Sequence, residues 1–402
     1  MKTNYLLFFI AITALTTACS SDKQERGSLD CFDFSKNYPE KELYLTDFAD
    51  VTYLYLNSDD DEYLYSGTIY HITDNTVIIA DYNTGNILFF SKDGLPKSHF
   101  NRKGNGPEDY VNISNVIYDE ATDDVFVVGI FNKNGIIVYS SAGKYKRSIP
   151  LPQGSVIQSQ IVSFDDNSLL FYDEKLDAAR GLAIFENRSI DDYYIAPYYF
   201  ISKSDGTVLD SLIMPLAPQY LGIYIDGRLI PGLPGTKNRL IKNKDGVYLC
   251  NPESDTVFVV NKNKSLIPVI HKIPLVGSTD PKTHFNNCID AGRYQFTELY
   301  TLRPGDPEVG LARFPVKHYI RDKITGEIFR QKFSLQDYNS KDFIISPSYI
   351  RNIYENGYYF ELDLLELKQA NRENKLSGKL KELVDTLNED EDNNVFMLVN
   401  FK

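Results

Sequence analysis

One phrase recurs along this chain: an apolar, strand-forming run that ends in a small polar turn. It reads Ile87-Leu88-Phe89-Phe90-Ser91-Lys92-Asp93-Gly94, then Ile136-Ile137-Val138-Tyr139-Ser140-Ser141-Ala142-Gly143, then Tyr199-Phe200-Ile201-Ser202-Lys203-Ser204-Asp205-Gly206. Weaker copies run from Val257 to Asn263 and from Tyr319 to Gly326. A unit that returns every roughly 50–60 residues cannot bury its apolar face alone and must stack on its neighbours. Glycine at Gly94 and Gly143 suits the tip of a hairpin, where a positive φ carries no Cβ penalty.

Composition agrees with a chain built from strands. Aromatic residues make up 13%, as 29 Tyr and 24 Phe with no Trp, and Tyr and Phe favour pleated, half-buried surfaces. The formal charge of −13 argues against a nucleic-acid partner, which calls for a basic face. Acids and bases are interspersed, as on an ordinary solvated surface.

The front of the chain reads as a targeting segment. Lys2 gives a positive start, Tyr5 to Leu15 is apolar, and small residues lead to Thr17-Ala18-Cys19. These are the three parts of a secretory signal, and the apolar run is too short to span a bilayer of about 30 Å. A Cys directly after small residues resembles a bacterial lipobox, with Thr16 where that pattern prefers Leu. The resemblance implies a signal over residues 1–18, lipid attachment at Cys19 and an outer-membrane lipoprotein on its periplasmic or surface face. Multiple acyl chains make a stable anchor. The polar stretch that follows predicts a flexible tether over residues 19–42. Without Cys19, the odd set Cys31, Cys250 and Cys288 cannot form a complete disulfide framework.

From there strand follows strand to residue 402. Blade-like units run over Gly67–Asn101, Ile113–Leu151, from Gln158 with an excursion between Asp173 and Pro197, over Asn238–Ile273, over Arg293–Leu335, and from Phe343 on. The last is interrupted by a helical pattern at about 362–388, broken near Ser377-Gly378, before Val395–Val399 closes it. The reading is all-β: a six-bladed β-propeller over 43–402 with a C-terminal helical insertion in the last blade. Its final strand suggests a ring closed by material from both ends, because an open sheet edge invites aggregation.

Between the first two units lies Arg102-Lys103-Gly104-Asn105-Gly106-Pro107-Glu108-Asp109-Tyr110. It resembles the Gly-x-Gly-Pro-x-Glu-Tyr connector of six-bladed propeller lipoproteins of Bacteroidota, relatives of the NHL and TolB-like propellers, with Asp109 where Glu is usual. On the residues alone it is a joint: Gly104 and Gly106 allow unusual dihedrals, Pro107 fixes its own, and Tyr110 anchors the next blade. The functional alternative has Arg102, Glu108 and Asp109 lining one mouth of the central channel.

Chemistry is harder to find. The five histidines form no HExxH pair, there is no GxSxG elbow and no phosphate loop, and no Cys/His spacing suggests zinc. No catalytic residue, metal or cofactor is assigned. Two functions follow: a binding module for a glycan, peptide or protein, or, through the resemblance, a lactonase- or lyase-type propeller enzyme with a metal at the channel mouth. Tyr193, Tyr194 and Tyr198, beside the excursion of the third unit, are the candidate binding loop, since Tyr offers an apolar body with a polar tip. The only membrane contact expected is through the lipid.

Overall fold

A computed structural model describes residues 29–402 apart from 58–60, 66, 130–131, 133–134, 152–160, 174–197, 213–220, 226–227, 233–238, 244–245, 251–253, 276–277, 280–282, 302–314, 350–352, 355–356 and 389–391. The expected signal segment and Cys19 fall outside these residues, as do Tyr193 and Tyr194.

The fold is a six-bladed β-propeller. Blade one consists of Thr68–Ile72, Thr76–Ala80, Asn86–Ser91 and Pro96–Asn101. Blade two has Asn115–Asp119, Asp124–Val128, Ile136–Tyr139 and Tyr145–Ile149. Blade three has Ile161–Ser163, Ser168–Tyr172, Tyr198–Ser202 and Val208–Leu212. Blade four has Leu240–Asn243, Gly246–Leu249, Thr256–Val260 and Leu266–Ile273. Each is an antiparallel meander in chain order. The first strands of successive blades touch from blade one to blade five, and that of blade four also touches that of blade six. First strands are therefore innermost. Second strands are buried along their whole length in blades one to three, because both of their faces meet other blades. That is why they read as continuous apolar runs instead of alternating ones.

Blade six closes the ring. Its first three strands, Ile353–Tyr354, Gly357–Leu362 and Val395–Phe401, come from the C-terminal end. Its outermost strand, Ala49–Tyr55, comes from the N-terminal end, paired antiparallel from Ala49 opposite Phe401 to Tyr55 opposite Val395. Phe48 enters this seam and stands 5.1 Å from Phe333, 5.6 Å from Tyr294 and 6.4 Å from Phe401 between ring centroids. Closure from both ends was expected.

Blade five departs from the expected boundaries. It begins at Thr283, ahead of Arg293, with strands Thr283–Ala291, Tyr294–Thr301, Val316–Asp322 and Ile328–Leu335. A further strand, Tyr338–Phe343, folds back on its outer strand with Phe343 opposite Phe333. Phe343 thus belongs to blade five by its backbone pairing, although its ring also meets Phe360 of blade six.

The expected tether is shorter than 19–42. Asp30–Asp33 lies parallel along Leu266–Ile273 of blade four, and Glu40–Tyr44 parallel along Ile328–Leu335 of blade five. The first is fixed by Phe32, fully buried, and by Asp30, which is 2.6 Å from Arg321 and accepts a 3.0 Å bond from Gln295. These contacts supply the side-chain burial and charge pairing that the segment's polar composition hides. Cys250 and Cys288 are buried free thiols.

The helical insertion falls where expected. Helix α1, Leu364–Arg372, is capped by Asp363, whose carboxylate accepts the Glu366 amide at 2.9 Å. It buries Leu364, Leu367 and Ala370, one face at helical spacing. Helix α2, Gly378–Thr386, buries Leu380 and Val384. Lys368 donates to the Val384 and Leu387 carbonyls, satisfying groups that a helix C-terminus leaves unpaired.

The recurring phrase now has a physical reason. Gly94, Gly143 and Gly206 have φ of +81°, +74° and +77°. A Cβ on them would stand 1.9 Å from the Tyr55 carbonyl oxygen, 2.6 Å from Phe100 and 2.2 Å from the Pro150 carbonyl oxygen. In each case the neighbour lies in, or directly after, the outer strand of the preceding blade. Gly326 shares the dihedral, φ +72°, but has nothing within 4 Å. Gly326→Ala is expected to cost about 1–2 kcal/mol, the left-handed penalty alone. Gly94→Ala is expected to cost about 1–3 kcal/mol more, through overpacking of the joint. Urea unfolding of the two variants measures the difference, and equal losses refute the joint.

Candidate functional site

The connector Arg102–Tyr110 brings all seven candidate residues together, as a hinge pin between blades one and two. The Gly104 amide donates to the Tyr110 carbonyl at 3.0 Å and the Tyr110 amide to the Arg102 carbonyl at 3.2 Å. The Asp109 carboxylate accepts the Gly106 amide at 3.0 Å. A Cβ on Gly104 or Gly106 would lie 2.4 Å or 2.7 Å from that carboxylate, so both glycines make room for Asp109. Tyr110 is wholly buried and donates to the Gly85 carbonyl at 2.5 Å. Burial pushes its phenol up to about 12, against the lowering effect of Arg102. Tyr139 of blade two donates to the Glu108 carbonyl at 2.5 Å. Arg102 stands 3.6 Å from Glu108 and 4.0 Å from Asp109. These contacts reach the turn after blade one's second strand and the third strand of blade two.

Tyr198 does not belong to a loop. It begins the third strand of blade three, fully buried and 5.1 Å from the Tyr172 ring. Its apolar body fills the space between blades three and four, which excludes it as an accessible binding residue.

The corresponding connector between blades five and six carries a polar cluster that no sequence spacing announced. Glu298, fully buried, sits opposite His318 on the neighbouring strand, with His318 Nε2 at 3.2 Å. Its carboxylate also accepts from the hydroxyls of Ser346, of Ser348 at 2.5 Å and of Tyr300 at 3.2 Å. Burial alone would raise this carboxyl; the bonds from His318, Ser346 and Ser348 outweigh burial and hold it below the ordinary range. Both serines bond the carboxylate directly, so neither is presented to His318 as a nucleophile. The arrangement fastens the connector to blade five. In the innermost strand of blade one, burial, with Lys242 nearby, pushes His71 down to about 4, which leaves it neutral at neutral pH. Among the described residues no group of three His, Cys, Asp or Glu side chains could hold a metal ion.

A cleft of about 300 Å³ opens between the added strand Tyr338–Phe343 of blade five and the strand Gly357–Leu362 with helix α1 of blade six. Its floor is apolar. Phe343 lies 6.3 Å from Tyr338 and 5.1 Å from Phe360, both edge to face, and Leu367 is buried beside them. Lys341, Asp342, Glu361, Asp363 and Glu366 line the opening. Exposed Ile344 and Leu365 stand in or next to the segments that form it.

Fold and cleft together define a closed six-bladed propeller with a recess where two elements outside its four-strand plan meet the second strand of blade six. The chain belongs to the DUF4934 family, described as a domain of unknown function, whose model matches residues 29–273. Among solved structures it is similar to a Bacteroides fragilis protein described as exported, at 14% identity and a TM-score of 0.62, over 93% of this chain and all of that one. It is also similar to a DUF4221 family member from Bacteroides vulgatus, at 12% identity and a TM-score of 0.44, over 88% and 98% of the two chains. The likeness to the Bacteroides fragilis protein, at 14% identity, speaks for the fold alone. No curated protein matches.

Glu298→Gln is expected to lower stability by about 1–3 kcal/mol at neutral pH. Its carboxyl is depressed in the fold, so its contribution is complete above the unfolded value of about 4.3 and disappears as pH falls through the lower folded value. Urea midpoints of the two proteins should therefore differ at pH 7 and converge below pH of about 4. A constant gap would show that the residue acts through packing alone.

Proposed function

We propose that this chain is a lipid-anchored binding module of the bacterial outer membrane that holds a partner in the cleft between blades five and six and acts by binding, not catalysis. One observation carries the reading. The cleft lies where two additions to the four-strand plan, the hairpin strand Tyr338–Phe343 and the helical insertion, meet the blade-six strand Gly357–Leu362. Aromatic rings at the bottom and polar groups at the opening are the usual make-up of a recognition site. Placement in the envelope rests on Lys2, the apolar run and Thr17-Ala18-Cys19. It is supported by the exported description of the Bacteroides fragilis neighbour. Ordered strands from Asp30 on leave a short link to Cys19: 11 residues reach at most about 40 Å.

Two measurements test it. Cys19→Ala should move the protein from the membrane to the soluble fraction and remove the acyl mass from its N-terminal peptide; unchanged membrane retention refutes the anchor. A photo-cross-linking residue at Leu365, 59% exposed, should trap a partner in intact cells, whereas one at Ile324, 75% exposed on a blade-five turn, should not. Equal labelling at both positions, or none at Leu365, refutes recognition at the cleft.

A further inference from the structure

The junction between blades four and five lacks the pressed glycine turn found at blades one to three. Gly326, in the corresponding turn of blade five, has nothing within 4 Å of where a Cβ would stand. Two cysteines face each other across this junction. In blade four, Tyr248 and Cys250 share a face with Ile241 and Val259, while Val247 and Leu249 turn to blade three. In blade five, a bulge between Asn286 and Cys288 sets the phase of the innermost strand. Cys288 then lies with Leu299 and Tyr319 on the side of blade four, and Ile289 on the side of blade six. Alternation along the two strands matches them pair by pair. Tyr248 donates to Asp290 at 3.1 Å. Two residues further on, Cys250 meets Cys288, whose amide donates to its sulfur. A sulfur bonded to the partner's own amide marks the close strand approach that a disulfide needs. Both side chains are buried, in one cluster with Phe32 of the N-terminal strand.

We propose that Cys250 and Cys288 are joined by a disulfide in the exported protein, as a covalent staple between blades four and five. This goes beyond the binding module and rests only on its placement in the envelope, where thiols are oxidised. The bond forms by exchange with a disulfide-bearing oxidant: two protons and two electrons pass from the thiols to the oxidant, which leaves as a dithiol. Exchange starts from a thiolate. Burial, outweighing the Cys288 amide and Arg239, pushes the Cys250 thiol up to about 12, and burial raises that of Cys288 as well. The closed, reduced form is therefore inert, and the bond is made before blade five closes on blade four. Cys31, part-exposed in the strand along the edge of blade four, is left as the odd thiol.

The test is thiol counting by mass. The mature chain, taken from cells, quenched in acid and alkylated in urea without reductant, should gain one alkyl group, at Cys31. A digest should hold the peptides of Cys250 and Cys288 linked, two hydrogens lighter than their sum, and after reduction three thiols should react. The same chain, reduced in urea and refolded with oxidised glutathione, should regain the link, whereas the folded, reduced chain should not acquire it. Reductant should lower the urea midpoint of the linked chain by about 0.5–1 M, since the bridge closes a long loop, and should leave that of the double variant Cys250→Ala, Cys288→Ala unmoved. Three reactive thiols in the chain from cells, or a link that engages Cys31, overturns the proposal. A link on refolding with none in cells overturns the modification together with the envelope placement. No link in either overturns the pairing itself, and loss of the protein from the membrane in Cys19→Ala decides the anchor separately.

Discussion

The structure depends on how closely each blade can approach the one before it. At Gly94, Gly143 and Gly206 the turn between a blade's two outer strands is pressed against the end or edge of the previous outer strand, with no room for a Cβ. Two constraints coincide there, a left-handed backbone and a close approach, and glycine alone meets both. The first of these turns meets Tyr55, on the strand that the N-terminal end contributes to blade six, and the Asn57 amide donates to the Gly94 carbonyl at 2.9 Å. Ring closure therefore uses the same joint as the contacts of blade one with blade two and of blade two with blade three.

Polar joints complete what the apolar ones begin. Lys203, in the repeated turn of blade three, reaches Asp119 of blade two at 2.8 Å, and its carbonyl accepts from Arg147, which pairs with Asp124 at 2.5 Å. Asp30 does the same work between blades four and five through Arg321 and Gln295. Buried charges are tolerable only when paired and hydrogen-bonded, so each joint fixes the angle between two blades as well as their distance. The N-terminal chain runs along the outer edges of blades four and five before it enters blade six. It covers sheet edges that would otherwise be open to pairing with another chain.

What was legible in the sequence follows from where the signal is local. Strands such as Val125–Val128 and Ile136–Tyr139 could be read because their apolar residues are contiguous and their turns carry glycine. The helical insertion could be read because leucines at helical spacing flank Ser377-Gly378. Glu40–Tyr44 could not: it is largely exposed, its strand character is imposed by parallel pairing with residues about three hundred positions away in the chain, and nothing in Glu-Lys-Glu-Leu-Tyr marks it. The Glu298–His318 pair was hidden for a related reason. Its members face each other across adjacent strands, at a separation set by a loop of arbitrary length. Tyr198 misled because a tyrosine next to a long excursion looks the same in sequence whether it packs inward or points out.

The cleft combines these two kinds of information. Asp363 is legible as a helix cap from its position ahead of a leucine-rich run, and Glu361 and Phe360 as parts of the preceding strand. The convergence of Phe360 with Phe343 and Tyr338 depends on a hairpin that hydrogen-bonds to blade five, not blade six. An acid that caps a helix serves folding, and its charge is welcome at a helix N-terminus. Glu361, exposed and opposite Phe396, turns to the other face of its strand from Phe360, where its carboxylate accepts the Asn394 side-chain amide at 2.9 Å.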